Sequence, residues 1–276
     1  MKEGNILFNF IKNIFNEKEK KIYIINLFGE INFNKSLNKM NCSAITVCEQ
    51  LEKIYDDLDK SKNIGILLHI NSPGGTTGAS EEIATMIKDL KKHNIIIVSS
   101  VGDICTSGAY LIASQSNYIF ANRMSLIGSI GVLMPCVNLN SFSEKTGITV
   151  NYLKSGKMKD IGNIFRNMTI EEKQYIENLL HDTHNEFINY VLSAREIKNI
   201  EDMTDGRFIN SNVALQNNLI DKIGTYHDAF NYLLDKLHSS KKDIKIISFK
   251  DKSSIINQII SSFSSNTLLN TSLLLK

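Results

Sequence analysis

Two almost uninterrupted apolar runs constrain this chain most. NIGILLHI (residues 63–70) and IIIVSS (residues 95–100) lie on either side of an amphipathic stretch. A strand that alternates apolar and polar side chains can leave one face in water. A strand that is apolar throughout needs cover on both faces, as in a parallel sheet between helix layers. The stretch between the runs, residues 79–92, carries Ile83, Met86, Ile87 and Leu90 on one helical face. Strand, helix, strand in this order predicts a right-handed βαβ unit in a parallel sheet.

The same reading extends along the chain. KKIYIINLFGEI (residues 20–31) predicts a strand ending in a turn, and residues 43–60 have helical periodicity through Ile45, Cys48, Leu51, Ile54, Tyr55 and Leu58. NYIFAN (117–122) predicts a short strand and SIGVLM (129–134) another. Residues 169–194 form a long amphipathic helix that opens on Thr169 and Glu172, the spacing of a capping box. A short helix before Gly224, a helix over 227–237 and a late strand IKIISF (244–249) complete the pattern. The fold class is α/β: parallel βαβ units with a C-terminal helical extension, in one domain over residues 20–250.

Composition removes several function classes. The chain has 276 residues, 42% of them hydrophobic and 22% charged, with a net charge of +2. Lysines are dispersed, so there is no basic patch for nucleic acid. Cys42, Cys48, Cys105 and Cys136 form no C-x-x-C pair and no zinc-ligand spacing, so free thiols in a reducing compartment are expected, with no metal and no cofactor. No apolar run reaches a membrane span, and no signal peptide is visible. The flanks differ from the body. Residues 1–19 carry the stripe Ile6, Leu7, Phe10, Ile11, Ile14 and Phe15, and residues 251–276 carry Ile255, Ile256, Ile259, Ile260 and Phe263. Such stripes lie on a membrane surface or pack against the body or a sister subunit. The expected location is therefore cytoplasmic or peripherally membrane-associated.

Chemistry concentrates in two turns at the C-terminal ends of predicted parallel strands, where open α/β sheets place their sites. The first is Asn71-Ser72-Pro73-Gly74-Gly75. Consecutive glycines bring backbone N–H groups close to a ligand, either a phosphate or the oxyanion of a tetrahedral intermediate. No Gly-Lys-Ser/Thr follows, which removes the phosphate loop. The second turn places Ser107 and Gly108 at the mouth of a helix. A serine there is an N-cap or a nucleophile whose following N–H joins an oxyanion hole. A nucleophile needs a base. None of His69, His93, His181, His184, His227 and His238 can be tied to Ser107 by spacing. A lysine base is the recognised alternative, and YLKSGKMKDIG (152–162) offers Lys154, Lys157 and Lys159. The residues themselves do not choose among the three.

INSPGG, TSGAY, GSIGV (128–132) and DGRFINSNVALQNNLIDKIG, in this order, resemble the signal peptide peptidase A (protease IV) family of serine peptidases, over roughly residues 21–237. The resemblance implies a Clp protease/crotonase-like fold. It implies Ser107 as nucleophile and, three residues after Gly156, Lys159 as general base. It further implies an oxyanion hole from the N–H groups of Gly75 and Gly108, with Ser129 orienting the lysine. The implied substrates are peptides, remnant signal peptides and other apolar sequences among them. The implied assembly is a homo-oligomeric ring such as an octamer, in which neighbouring subunits help to build each site. Typical members carry a membrane anchor and many are tandem duplications, whereas this chain reads as one copy without a spanning segment. A crotonase-like acyl-CoA enzyme, a phage-type head-maturation protease and an inactive scaffold homologue are the alternative readings.

Overall fold

The computed structural model describes residues 19–34, 41–58 and 63–249. The two amphipathic flanking segments expected over 1–19 and 251–276 lie, but for Glu19, outside the described residues.

Six strands form the body of one sheet. In spatial order they are β10 (Lys245–Ser248), β1 (Lys21–Phe28), β4 (Ile64–Ser72), β5 (Ile96–Thr106), β6 (Tyr118–Ala121) and β9 (Lys222–Ile223). Every pairing among them is parallel. Successive side chains of a strand face opposite ways, and both faces are covered. Tyr23, Ile25, Leu27, Ile66 and Leu68 pack in the larger core. That core also takes α1 (Ala44–Tyr55), α2 (Thr77–Lys91) and α3 (Gly108–Ser114). Ile22, Leu67, Val98 and Phe120 face α8 (Tyr226–Lys236), which supplies Ala229, Phe230, Leu233 and Leu234. The apolar runs are thus strands buried on both faces, as their composition requires. A two-stranded parallel sheet, β2 (Glu30–Asn32) with β3 (Asn41–Ser43), lies beside the glycine turn through an Ile31–Gly75 bridge.

β5 runs six residues beyond the apolar run that predicts it, and this extension builds the site. Its first half pairs with β6 and its second half with β7 (Leu126–Gly128). The β4–β5 register slips between Ile70 and Ser72. The slip frees two β5 amides, and Asn71 satisfies both: its Oδ1 accepts from Asp103 N at 2.8 Å and Ile104 N at 3.1 Å. A side chain in place of a ladder rung carries β5 through a polar stretch to Thr106.

The strand predicted over SIGVLM is a correction. The strand is Leu126–Gly128, and residues 129–134 have no regular structure. Ser129 has φ 51°, which breaks the extended backbone, and its N–H donates to Arg207 O at 2.8 Å. The chain then passes α4 (Asn140–Thr146) and an irregular segment, 147–168, before α5 (Ile170–Leu192). Thr169 and Glu172 close the expected capping box at the start of α5. α6 (Ile200–Met203), β8 (Phe208–Asn210) and α7 (Ser211–Gln216) follow, with β8 antiparallel to β7.

Candidate active site

Ser107 stands between the end of β5 and the first residue of α3. Its backbone has φ 52° and ψ −128°, a region an L-residue occupies only at a cost of order 1–3 kcal/mol. Three hydrogen bonds hold it there. Ser107 N donates to Gly128 O at 2.8 Å, and Ser107 O accepts from Tyr110 N at 2.8 Å and Leu111 N at 3.0 Å. Although Ser107 occupies the N-cap position, its hydroxyl caps nothing. The helix behind it is buried throughout, from Gly108 to Ser114. A half-buried hydroxyl is therefore presented at a strained strand-to-helix turn, the geometry of a nucleophile elbow.

The glycine turn is clamped against this elbow. Ser72 Oγ accepts from Gly74 N at 3.1 Å, and Thr106 Oγ1 donates to Pro73 O at 3.1 Å. Gly74 has φ +98°, and a Cβ there would lie 2.8 Å from both Gly108 N and Ser107 Cβ. At Gly75 a Cβ would come within 1.9 Å of Ile31 O, because Ile31 N donates to Gly74 O and Thr76 N to Ile31 O across the bridge. At Gly108 a Cβ would come within 2.1 Å of Ser80 Oγ and 3.5 Å of Gly75 N. Only hydrogen fits at these three positions. Among the described residues neither the Gly75 nor the Gly108 N–H has a hydrogen-bond partner. Two close, unoccupied amide donors beside a serine hydroxyl suit an oxyanion.

These groups line one cleft of about 890 Å³, which takes in Gly75, Ser80, Ser107, Gly108 and Ser129. Its far wall is α5, through His184, Phe187 and Tyr190. Tyr190 fixes that wall: its hydroxyl pairs with Thr85 Oγ1 at 2.8 Å and its carbonyl accepts from Gln115 Nε2 at 3.4 Å. The sequence pattern gave no sign of this wall. His184 lies in the cleft because a 23-residue helix folds back over α3, a contact 77 residues along the chain from Ser107. His184 Nε2–H donates to Ile130 O at 3.1 Å and so ties α5 to the segment after β7.

Lys159 is elsewhere. It is exposed, on the irregular segment 147–168, and does not line the cleft of its own chain. The two neighbouring candidates are both engaged: Lys154 pairs with Asp160 and Lys157 with Glu171. Lys159 forms no ion pair among the described residues. The structure thus brings four of the five expected residues together and leaves the fifth on the surface.

All four cysteines are free, and burial pushes the Cys42 thiol up to about 12 and the Cys48 thiol up to about 11. Cys105 is wholly buried behind Ser107, and its thiol is raised for the same reason. Such thiols are not nucleophiles near neutral pH. No metal-ligating cluster and no helix long and apolar enough to cross a membrane occurs among the described residues.

The model of peptidase family S49 matches residues 89–240, more than half of the chain. "Putative protease MJ0651" of Methanocaldococcus jannaschii is 36% identical over 194 residues, 69% of this chain and 62% of that protein. "Putative signal peptide peptidase SppA" of Enterococcus faecium is 31% identical over 240 residues, 86% of this chain and 68% of that protein. Among solved structures, a variant of the membrane-bound stomatin-specific protease 1510-N in complex with a substrate peptide superimposes with a TM-score of 0.50. It is 14% identical and covers 87% of this chain and 98% of that one. The two share an α/β fold, here built on a mostly parallel sheet. The chain belongs to peptidase family S49, a family of serine peptidases. It spans about two thirds of the length of the two relatives named.

Proposed function

We propose that this chain is a serine endopeptidase in which Ser107 and Lys159 act as a nucleophile–base dyad on peptides, remnant signal peptides and other apolar sequences among them. The observation that carries the reading is the Ser107 elbow: a hydroxyl that caps nothing, on a strained backbone, beside the N–H groups of Gly75 and Gly108, which have no partner among the described residues. Membership in a peptidase family favours this over an acyl-CoA enzyme of the same fold.

The chemistry follows from those atoms. Lys159 Nζ, neutral, takes the proton as Ser107 Oγ attacks the scissile carbonyl carbon. The carbonyl oxygen becomes an oxyanion and accepts from the Gly75 and Gly108 amides. Collapse breaks the C–N bond, and the Lys159 ammonium returns its proton to the leaving amine. A water then repeats the sequence on the acyl-enzyme and releases Ser107. Ser129, on the same cleft, orients the lysine without adding charge.

Lys159 reaches the cleft from a neighbouring copy of the chain in a ring. Its exposure and its position off its own cleft support this, as do the apolar side chains on the same stretch. Leu133 is 83% exposed, Phe142 57% and Leu153 fully. A neighbouring copy in a closed ring would cover such side chains.

The test is peptide hydrolysis together with labelling by a serine-directed fluorophosphonate. The wild type should turn over peptides and carry the label on Ser107, whereas Ser107→Ala should do neither and fold normally. Hydrolysis by Ser107→Ala at the wild-type rate would remove the assignment.

A further inference from the structure

We propose that Arg166 is a positioning residue for the general base: it clasps Asp160 and Glu172 and thereby fixes the Lys159 turn against the start of α5. This rests on Lys159 being the base.

Two hydrogen bonds tie the far part of the segment that carries Lys159 to the chain before α4, Leu139 N to Ile164 O at 2.6 Å and Asn138 Nδ2 to Asn167 Oδ1 at 2.8 Å, and neither holds the residues next to Lys159. Residues 147–168 contain no helix or strand, and residues 149–157 are all exposed. Local turns shape the Lys159 region: Lys159 N donates to Gly156 O at 3.1 Å, and Asn163 N to Asp160 O at 3.0 Å. Turns set a local shape but do not place it relative to the body. A lysine ends a flexible four-carbon stem, so its backbone must be fixed before its amine can be aimed.

Arg166 supplies the anchor with every donor it has. Nε donates to Asp160 Oδ2 at 2.9 Å and Nη2 to Asp160 O at 3.3 Å, so both the side chain and the main chain of the residue after Lys159 are held. Nη1 and Nη2 donate to Glu172 Oε2 and Oε1 at 2.8 and 2.5 Å, a bidentate pair. Nη1 also donates to Asn167 O at 3.1 Å. These five bonds match the five N–H groups of a guanidinium.

The far end of the clasp is rigid. Glu172 is 3% exposed and accepts from Thr169 N at 2.9 Å as part of the capping box of α5. A cap alone needs no buried charge on Glu172; the guanidinium accounts for it. The near end is selective. The remaining carboxylate oxygen of Asp160 takes Lys154, and Glu171 takes Lys157. Asp160 in the clasp thus also occupies Lys154, Lys157 pairs with Glu171 outside the clasp, and Lys159 is left unpaired among the described residues. The clasp therefore fixes the turn and draws Lys154 away from it.

The experiment measures kcat and KM on one peptide for the wild type, Arg166→Lys, Arg166→Gln and Lys159→Arg. Oligomer size and thermal midpoint are recorded for each. Both Arg166 variants should lose about tenfold to a hundredfold in kcat, the cost of misplacing a catalytic group by about 1 Å, with KM little changed. Arg166→Lys keeps the charge and loses the fork, so it should fail to rescue. If Arg166→Gln does not fold, Arg166→Lys is read alone in the same assay. Hydrolysis of an activated ester in a Lys159→Ala background gives the second readout. There Arg166→Gln should change the residual rate by less than about twofold, since the base it positions is gone. Lys159→Arg inactive with Arg166→Lys at the wild-type kcat would overturn the clasp and leave the dyad standing. An equal loss with and without Lys159 would also overturn it. An active Lys159→Arg would remove the dyad itself, and the clasp with it.

Discussion

Gly74 and Ser107 are packed so closely that a Cβ on Gly74 would lie 2.8 Å from the Ser107 Cβ. The Ser107 turn and the glycine turn are therefore one unit, built from the ends of adjacent parallel strands and locked by the Thr106 hydroxyl on Pro73 O. Their fit leaves no room for a methyl group on either side, and the amide pair beside Ser107 depends on that fit.

Gly108→Ala should disable the site through Ser80. The new Cβ would meet Ser80 Oγ at 2.1 Å and Ser80 Cβ at 2.8 Å, and relief must come from moving α2 or the Gly108 amide. Overpacking of this kind costs about 1–3 kcal/mol, and a displaced oxyanion donor costs about a hundredfold or more in kcat. Ser80→Gly removes both colliding atoms, so the double variant should regain thermal midpoint and part of kcat. Differential scanning calorimetry and peptide hydrolysis on the three variants check this. A double variant no better than Gly108→Ala would place the strain elsewhere.

Ser107→Gly should raise stability while abolishing hydrolysis. At φ 52° and ψ −128° a serine is strained and a glycine is not. Release of the strain, less the extra freedom glycine gains in the unfolded chain, leaves about 1 kcal/mol. That corresponds to a rise of roughly 2–4 °C in thermal midpoint for a chain of this size. Ser107→Ala, which keeps the Cβ, should not show the rise. A fall in midpoint for Ser107→Gly would mean that the backbone there is not strained.

Much of this was legible in the residues, for physical reasons. The parallel sheet could be read from NIGILLHI and IIIVSS because strands covered on both faces must be apolar throughout. The Ser107 turn could be read because Ser-Gly before a buried helix serves few purposes. The long α5 announced its start through Thr169 and Glu172. What could not be read depends on contacts between distant segments. β5 continues past its apolar run because Asn71 replaces a rung of the ladder and β7 pairs with its second half. SIGVLM has the composition of a strand, yet Ser129 turns the chain away from the sheet. His184 joins the cleft through helix packing, and the engagement of Lys154 and Lys157 depends on carboxylates that no local pattern links to them.

The clasp should respond to acid in a definite direction. Hydrogen bonds from Arg166, then the Thr169 N–H, draw the Glu172 carboxyl down to about 2. Arg166 and then Lys154 hold Asp160 well below the usual carboxylate range. Both groups are more acidic folded than unfolded. Their contribution to stability is therefore complete above the ordinary carboxylate value of about 4 and is lost as pH falls toward 2. The difference in thermal midpoint between wild type and Glu172→Gln should be constant from pH 7 to about 5 and shrink steadily below 4. A difference that persists unchanged at pH 2 would mean that the Glu172 charge contributes nothing to the native state.

In the proposed mechanism Ser107 of one chain works with Lys159 of another. Ser107→Ala retains the lysine and Lys159→Ala retains the serine, and each alone should be inactive. The most direct measurement is peptide hydrolysis after the two are dissociated, mixed in equal amounts and allowed to reassemble. Random mixing gives about one quarter of the sites both groups when each site draws on two neighbouring chains. The mixture should recover about one quarter of the wild-type rate. A mixture as inactive as its components, in assemblies shown to contain both chains, would contradict it.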